Sequence, residues 1–171
     1  MRRRHATAST TPTGLVVRAA DPADLEIVVA LRLRLLAEEA RNPAVALSLT
    51  DLHEHARQLS ERQLASPTDV IFLATLRDAA LGMLRVAVSR PPRLVRPQPY
   101  GFMTSAYVVP SYRRAGVLRA LVRAGEAWCR ARGLGEVRLH CTVDNAPGNA
   151  SWEALGYGVA ELVRRRTLTE E

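Results

Sequence analysis

The sequence predicts an α/β fold, with a mixed, mostly antiparallel central sheet that carries helices on both faces. Short β-compatible runs alternate with amphipathic segments in the order β, α, α, β, β, β, α, β, α, β. The second and third strands are joined by a short turn, which is typical of a hairpin. A chain of 171 residues with 47% hydrophobic content is the size of one domain and can bury a core.

The first part of the chain supplies a tail, one strand and two helices. Residues 1–13 are rich in Arg, then in Ala, Ser and Thr, and no apolar segment of a secretory signal follows, so we expect a disordered tail before a domain at 14–171. Asp21 and Pro22 are typical of a helix start, and Thr50 or Asp51 can cap the next helix. The predicted elements are a strand at 15–19, a helix from 21 to about 40 and a helix from 51 to about 65.

The second part of the chain supplies the rest of the sheet and two more helices. Four prolines in the stretch from Ser89 to Pro99 predict a loop. Apolar residues at helical spacing predict an amphipathic helix that Gly133 ends. The predicted elements are a hairpin of strands 69–76 and 81–88, a strand at 100–109, a helix at 117–132, a strand at 137–143, a helix at 150–155 and a strand at 159–168.

The segment from Tyr107 to Leu121 predicts a strand that passes through a basic turn into a helix. Such a turn directs backbone N–H groups and the positive end of the helix at one point, which makes it an anion site. Gly116 permits close approach of a phosphate, and Arg113 and Arg114 add charge where a pyrophosphate would sit.

This segment resembles the acyl-CoA motif of the GNAT superfamily of N-acyltransferases, V-x-P-x-[Y/F]-[R/Q]-x-x-G-[I/V]-[G/A]. The matching residues are Val108 or Val109, Pro110, Tyr112, Arg113, Gly116 and Val117, and Leu118 departs from the usual Gly or Ala. The resemblance extends over residues 15–168 and implies the GNAT fold, with acetyl-CoA as cosubstrate and no metal. The cofactor-binding residues it implies are Tyr107, Val108, Val109, Arg113, Arg114, Ala115, Gly116, Val117, Leu118, Arg119, Asn145 and Trp152.

A second family element is similar to the segment from Val143-Asp144-Asn145 to Gly156-Tyr157. Trp152 stands where many relatives carry a tyrosine that protonates the departing CoA thiolate. An indole N–H cannot act as that acid, so packing along the pantetheine or acyl tunnel is favoured. We take Ser105, Asn145 and Trp152 as the candidate catalytic residues.

The general base is open. Residues 101–106 contain no carboxylate, although many relatives place a glutamate on this strand. A base is needed because the amine must lose a proton to attack the thioester. The remaining candidates are Glu38, Glu39, His140, Asp144, or a water chain held by Thr104 and Ser105.

Composition excludes several other function classes. The net charge is +7, but all 24 basic residues are arginines scattered through the elements, which predicts solvated faces, so we expect no nucleic-acid partner. Charges interrupt every apolar run, so we expect a soluble, cytoplasmic protein without a membrane partner. His53 and His55 point to different helix faces and predict no metal site. Cys129 and Cys141 are typical of small core residues.

The resemblance implies an N-acetyltransferase that moves an acetyl or small acyl group from CoA to an amine of a small molecule or protein by direct attack. The backbone N–H groups of Val108 and Val109 would steady the thioester oxygen. A non-catalytic acyl-CoA-binding regulatory module is the alternative, favoured by the missing strand carboxylate and by Trp152. An Arg-rich nucleic-acid-binding domain is a third hypothesis, and a homodimer is left open.

Overall fold

The structure is a computed structural model that describes residues 11–40, 51–91, 98–164 and 166. The chain divides into two compact units, residues 1–140 and 141–171. The strands of the first unit are β1 Val16–Ala19, β2 Asp69–Leu76, β3 Ala79–Ser89, β4 Tyr100–Val108 and β5 Val137–Leu139. Its helices are α1 Leu25–Glu39, α2 Leu52–Leu64 and α3 Val117–Ala131, and α4 Ala146–Ala154 lies in the second unit.

The five strands form one sheet in the order β1-β2-β3-β4-β5. The first three pairings are antiparallel and the β4–β5 pairing is parallel. Arg77 and Asp78 connect β2 to β3, and both have positive φ, 47° and 66°. Positive φ at both central residues is what a two-residue hairpin turn matching the strand twist requires. The predicted hairpin and the mixed, mostly antiparallel sheet are therefore confirmed.

Helices cover both faces of this sheet, as predicted. On one face, α1 packs against the sheet. The buried residues of this core are Val28, Leu31, Ile71, Leu73, Met83 and Tyr107. On the other face, α3 approaches the sheet most closely at Gly125. A Cβ there would lie 2.8 Å from Met103 Cε and 2.9 Å from Val86 Cγ2, so a larger residue would push the helix off the sheet.

A capping box fixes the short helical turn Pro22–Asp24, as the Asp21-Pro22 pair predicts, and α1 follows directly from this turn. Asp21 accepts a hydrogen bond from Ala23 N at 2.8 Å, and Asp24 accepts one from Asp21 N at 2.9 Å. Asp24 is buried and also takes two hydrogen bonds from Arg18, at 2.6 and 2.7 Å, which lower the pKa of its carboxyl. Caps of this kind contribute about 0.5–2 kcal/mol each.

Two predicted helix starts turn out differently. Asp51 precedes α2 in a left-handed conformation, and its side chain makes no capping hydrogen bond, so the prediction of a cap there is wrong. Thr50 lies outside the described residues. Helix α4 begins at Ala146, four residues before the predicted start, because Asn145 caps it by accepting a hydrogen bond from Gly148 N at 3.0 Å.

The strand predictions near the end of the chain are partly wrong. β5 ends at Leu139 instead of 143. The described part of the predicted 159–168 strand, residues 159–164 and 166, forms no strand, and Val159, Leu162 and Val163 are exposed. Alternating apolar residues favour a strand only where a neighbouring strand supplies hydrogen bonds, and local pattern does not reveal the neighbour. None of the helices in the described part of the chain has both the length and the apolar character of a membrane span.

Candidate active site

The strand-to-helix turn after β4 has the backbone geometry of an anion site. The chain leaves β4 through the single helical turn Pro110–Tyr112 and then passes Arg114 and Gly116, whose φ values are 61° and 78°. The first hydrogen bond of α3 runs from Ala120 N to Gly116 O at 3.0 Å. The N–H groups of the first turn of α3 therefore precede the helical hydrogen-bond ladder and point out of the helix end, where a phosphate can accept them. These are the N–H groups of Val117, Leu118 and Arg119. Together with the preceding Ala115 and Gly116, these residues belong to the predicted cofactor-binding residues.

Gly116 is required by this turn for two reasons. Its positive φ costs a side-chain-bearing residue about 1–2 kcal/mol. In addition, a Cβ would lie 2.7 Å from Thr11 Oγ1, which is closer than unbonded atoms tolerate. Glycine therefore lets the turn pack directly against Thr11.

Arg113 is already engaged within the chain. Its Nε donates to Val108 O at 3.0 Å, and its Nη2 donates to both carboxylate oxygens of Glu38 at 2.7 Å. Its Cζ also lies 5.8 Å from the Tyr107 ring centroid. The guanidinium thus connects the turn to the end of β4 and to α1, so a role toward a pyrophosphate stays a prediction. Arg114, the other predicted basic residue, is exposed.

A β-bulge at Ser105 bends β4 in the middle of the site. The register passes from Arg85 opposite Thr104 to Met83 opposite Tyr107, so β4 carries one extra residue. Ser105 has a φ of 52°, the left-handed conformation that a bulge can impose. Pairing of β4 with β5 ends at Met103, two residues before the bulge. Within the described residues, the C-terminal part of β4 therefore pairs with β3 on one side and has an unpaired edge on the side of β5.

One backbone N–H points to that unpaired edge. Val109 N donates to Leu81 O at 2.8 Å, so its N–H is used by the sheet. Because successive N–H groups of a strand alternate in direction, the N–H of Val108 points away from β3. We expected the N–H groups of both Val108 and Val109 to be available to a thioester oxygen. This is wrong for Val109, whose N–H is bonded to Leu81 O. For Val108 the direction of the N–H leaves the expectation standing as a prediction.

The candidate bases differ in their surroundings. Glu38 is bound by Arg113, and the hydroxyls of Thr104 and Ser105 accept hydrogen bonds from Arg85 at 3.1 Å and from Arg32 at 3.3 Å. Partial burial raises the pKa of the Glu39 carboxyl, although the residue as a whole is exposed. His140 packs edge to face on Phe102, and Asp144 is exposed in the second unit. The structure thus leaves the base open, with the two hydroxyls already holding arginines.

Asn145 and Trp152 belong to the second unit. Asn145 serves as the N-cap of α4, so its side-chain oxygen is used locally. Trp152 packs edge to face on Tyr157, with ring centroids 5.5 Å apart, and Tyr157 N donates to Trp152 O at 3.0 Å. This packing is compatible with the structural role predicted for Trp152 and does not test the role toward CoA.

Sequence reasoning missed Arg32 on α1. We expected the arginines to lie on solvated faces, which is wrong here because Arg32 is 6% exposed. Its Nε donates to Ser60 Oγ at 3.1 Å and its Nη2 to Gln63 Oε1 at 2.6 Å, in addition to the bond to Ser105. The available signal was its position four residues after Val28, on the apolar face of the helix.

His53 and His55 are both exposed on α2. Across residues 11–40, 51–91, 98–164 and 166, no three His, Cys, Asp or Glu side chains cluster as a metal site would require. Cys129 is buried, as predicted, and burial raises the pKa of its thiol; Cys141 is half-buried.

Comparison with known proteins gives one family. The model of the acetyltransferase (GNAT) family matches residues 34–157. An aminoglycoside N(6')-acetyltransferase type 1 of Stenotrophomonas maltophilia is 29% identical over 149 residues, 86% of this chain and 88% of that protein. One of Klebsiella aerogenes is 30% identical over 114 residues, 65% of this chain and 75% of that protein. The crystal structure of an aminoglycoside N-acetyltransferase with CoA has a TM-score of 0.76 at 20% identity, covering 90% of this chain and 94% of that one.

Proposed function

The chain belongs to the acetyltransferase (GNAT) family, and on that premise we propose how its residues carry out the transfer. It is an acyl-CoA-dependent N-acetyltransferase, which moves an acetyl group from acetyl-CoA to an amine. The relatives named above are enzymes, and the non-catalytic regulatory module is not favoured. In the proposed arrangement, CoA lies along the end of β4 and its pyrophosphate is held by the N–H groups of residues 115–119.

The observation that carries this proposal is the pair of left-handed residues in the turn. Arg114 and Gly116, both with positive φ, turn the chain from β4 into α3, whose first-turn N–H groups precede its hydrogen-bond ladder. A pyrophosphate accepts several such donors at once, and the positive end of the helix adds to the attraction. Gly116 itself adds no side chain to this turn.

The Val108 N–H would stabilise the thioester oxygen during attack. The tetrahedral intermediate places negative charge on that oxygen, and a fixed backbone donor needs no reorganisation to meet it. The unpaired edge of β4 opposite β3 provides the room for the thioester. The amine attacks directly, and the CoA thiolate leaves without a covalent enzyme intermediate.

Positioning supplies much of the rate in this scheme. β4 offers no carboxylate as a base, so the amine would lose its proton to water near the bulge. Holding two reactants in attack geometry can contribute about 7–11 kcal/mol without any acid or base. Trp152 would pack beside the CoA tail, and Asn145 would act by fixing the start of α4.

We propose a small-molecule amine as the acceptor. An aminoglycoside is the specific candidate that the names of the relatives favour. Aminoglycosides carry several positive charges, whereas this chain has a net charge of +7, so long-range electrostatics oppose that acceptor.

Thiol release from acetyl-CoA, measured against a panel of amines, tests the function. The panel contains an aminoglycoside, amino carboxylates, simple alkylamines and a lysine peptide. We expect one class to release thiol well above the hydrolysis rate and to yield a product heavier by one acetyl group. CoA binding without transfer to any amine would contradict the proposed acetyl transfer to small-molecule amines and support the regulatory module.

A further inference from the structure

Arg32 carries a positive charge into the interior next to the bulge of β4. Its three hydrogen-bond partners, Ser60, Gln63 and Ser105, are all neutral. A guanidinium has five N–H donors, so the described partners use three of them. The bonds to Gln63 and Ser105 lie at partly buried positions and the bond to Ser60 is fully buried. The Nη1 and Nη2 groups, which bond Ser105 and Gln63, are thus less deeply enclosed than Nε.

No carboxylate of residues 11–40, 51–91 and 98–140 forms an ion pair with Arg32. The charged neighbour that acts on it is Arg85, whose own charge is paired with Asp69 through Nε at 2.9 Å. Burial and the charge of Arg85 lower the pKa of Arg32. The segments 1–10, 41–50 and 92–97 contain no Asp or Glu, so they cannot supply a carboxylate side chain.

An arginine in this position remains charged. A guanidinium is not deprotonated in proteins, so Arg32 keeps its charge at neutral pH. Buried charges in proteins are normally paired, because hydrogen bonds to neutral groups offset only part of the lost hydration. An anion that reached the Nη1 and Nη2 groups of Arg32 would therefore be bound by a pair of charge-assisted hydrogen bonds.

The position of Arg32 along β4 assigns that anion to the acceptor and not to CoA. Ser105, which Arg32 contacts, lies three residues before Val108, about 10 Å along a strand. The turn that would bind the pyrophosphate starts at Arg113, beyond the end of β4. Relative to the Val108 N–H, Arg32 and the phosphate turn thus lie toward opposite ends of the strand.

We propose that Arg32 binds an anionic group, a carboxylate or a phosphate, on the amine that accepts the acetyl group. This inference rests on the proposed transfer to small-molecule amines and narrows its acceptor to amines that carry a negative charge. It excludes an aminoglycoside as the preferred acceptor, because a polycation would meet the positive charge of Arg32, which no carboxylate of residues 11–40, 51–91 and 98–140 pairs. Arg32 is then a specificity-determining residue.

The test compares ω-amino carboxylates and amino phosphates with their uncharged amides and alcohols as acceptors. We expect wild type to favour the anionic member of each pair by about tenfold to a hundredfold in kcat/KM, as one charge-assisted interaction provides. In Arg32→Met the preference falls below about twofold, and Arg32→Lys keeps part of it. Arg34→Met, an exposed position on the same helix, is the matched control and keeps the full preference.

A binding measurement without turnover separates this inference from the proposed function. With saturating CoA present to fill the turn, propionate or phosphate at constant ionic strength should raise the Tm of wild type and Arg34→Met, and not that of Arg32→Met. An equal Tm increase in Arg32→Met, or none in wild type, overturns the inference. A raised KM for acetyl-CoA in Arg32→Met with the acceptor preference intact would assign Arg32 to the cofactor and also overturn it. Arg32-dependent anion binding without transfer to any amine would instead count against the proposed transfer alone.

Discussion

Replacing Gly116 with alanine should weaken acetyl-CoA binding far more than it weakens the fold. The substitution forces a φ of 78° on a residue with a Cβ, which costs about 1–2 kcal/mol. For a chain of this size that corresponds to a Tm lower by roughly 2–8 °C. The Cβ also lies 2.7 Å from Thr11 Oγ1, so the turn or residue 11 must shift.

The loss of cofactor affinity follows from the same displacement. A turn that moves by a few tenths of an ångström no longer presents its N–H groups together to a pyrophosphate. Loss of one charge-assisted hydrogen bond costs about 1.5–3 kcal/mol, so the KM for acetyl-CoA should rise at least about tenfold. Thermal shift with and without CoA measures the binding, and steady-state kinetics measure the KM.

Gly133→Ala is the matched control. Gly133 follows the other end of α3, has a φ of 71°, and an added Cβ there meets nothing within 4 Å. Both variants should lose similar stability from backbone strain, and only Gly116→Ala should lose affinity for CoA. Adding Thr11→Ala should recover part of that affinity by removing the clash. Equal KM values in the two single variants would refute the reasoning, because the phosphates would then bind elsewhere.

Three further sets of substitutions test separate parts of the account. Asp24→Ala should lower Tm by a few degrees above pH 4, because Arg18 lowers the pKa of Asp24 in the folded protein. The stability that this ionised carboxylate provides is lost as pH falls through the folded pKa, so the Tm difference between variant and wild type should shrink in acid. A Tm difference that grows in acid would contradict this. Arg113→Ala should raise the KM for acetyl-CoA several-fold, and Glu38→Gln should lower it by releasing Arg113; the reverse order would leave Arg113 with a purely structural role. Trp152→Phe should keep most of the turnover and Trp152→Ala should lose it, which a pH profile of kcat checks; loss in both variants with CoA still bound would show that the indole itself takes part.

The elements that carry strong local signals were predictable. The Asp21-Pro22 start and the amphipathic pattern of α3 each involve neighbours in sequence, and the structure follows them. Most of the loop predicted after Ser89, residues 92–97, lies outside the described residues. The turn around Gly116 was predictable for the same reason, since a strand, a glycine and a helix start define it together. Sequence alone predicts an anion site at this turn, and its binding of a phosphate stays a prediction.

Features that depend on distant partners were not predictable. Arg113 pairs with Glu38, which lies 75 residues away, and nothing near either residue indicates the pair. The bulge at Ser105 is set by the register of β3 and not by a glycine, so the availability of the Val108 N–H could be found only in the structure. Arg32 was missed because a count of arginines suggested solvated faces, although its helical position already placed it among apolar residues.

Titration of the ¹⁵N-labelled protein with CoA tests the central claim most directly. If the turn after β4 holds the pyrophosphate, the amide resonances of residues 115–119 should shift most, in the direction of stronger hydrogen bonding, and Gly116→Ala should need at least about tenfold more CoA. Amides near Gly133, at the other end of α3, should stay in place. Saturable binding that leaves residues 115–119 unshifted would contradict the account.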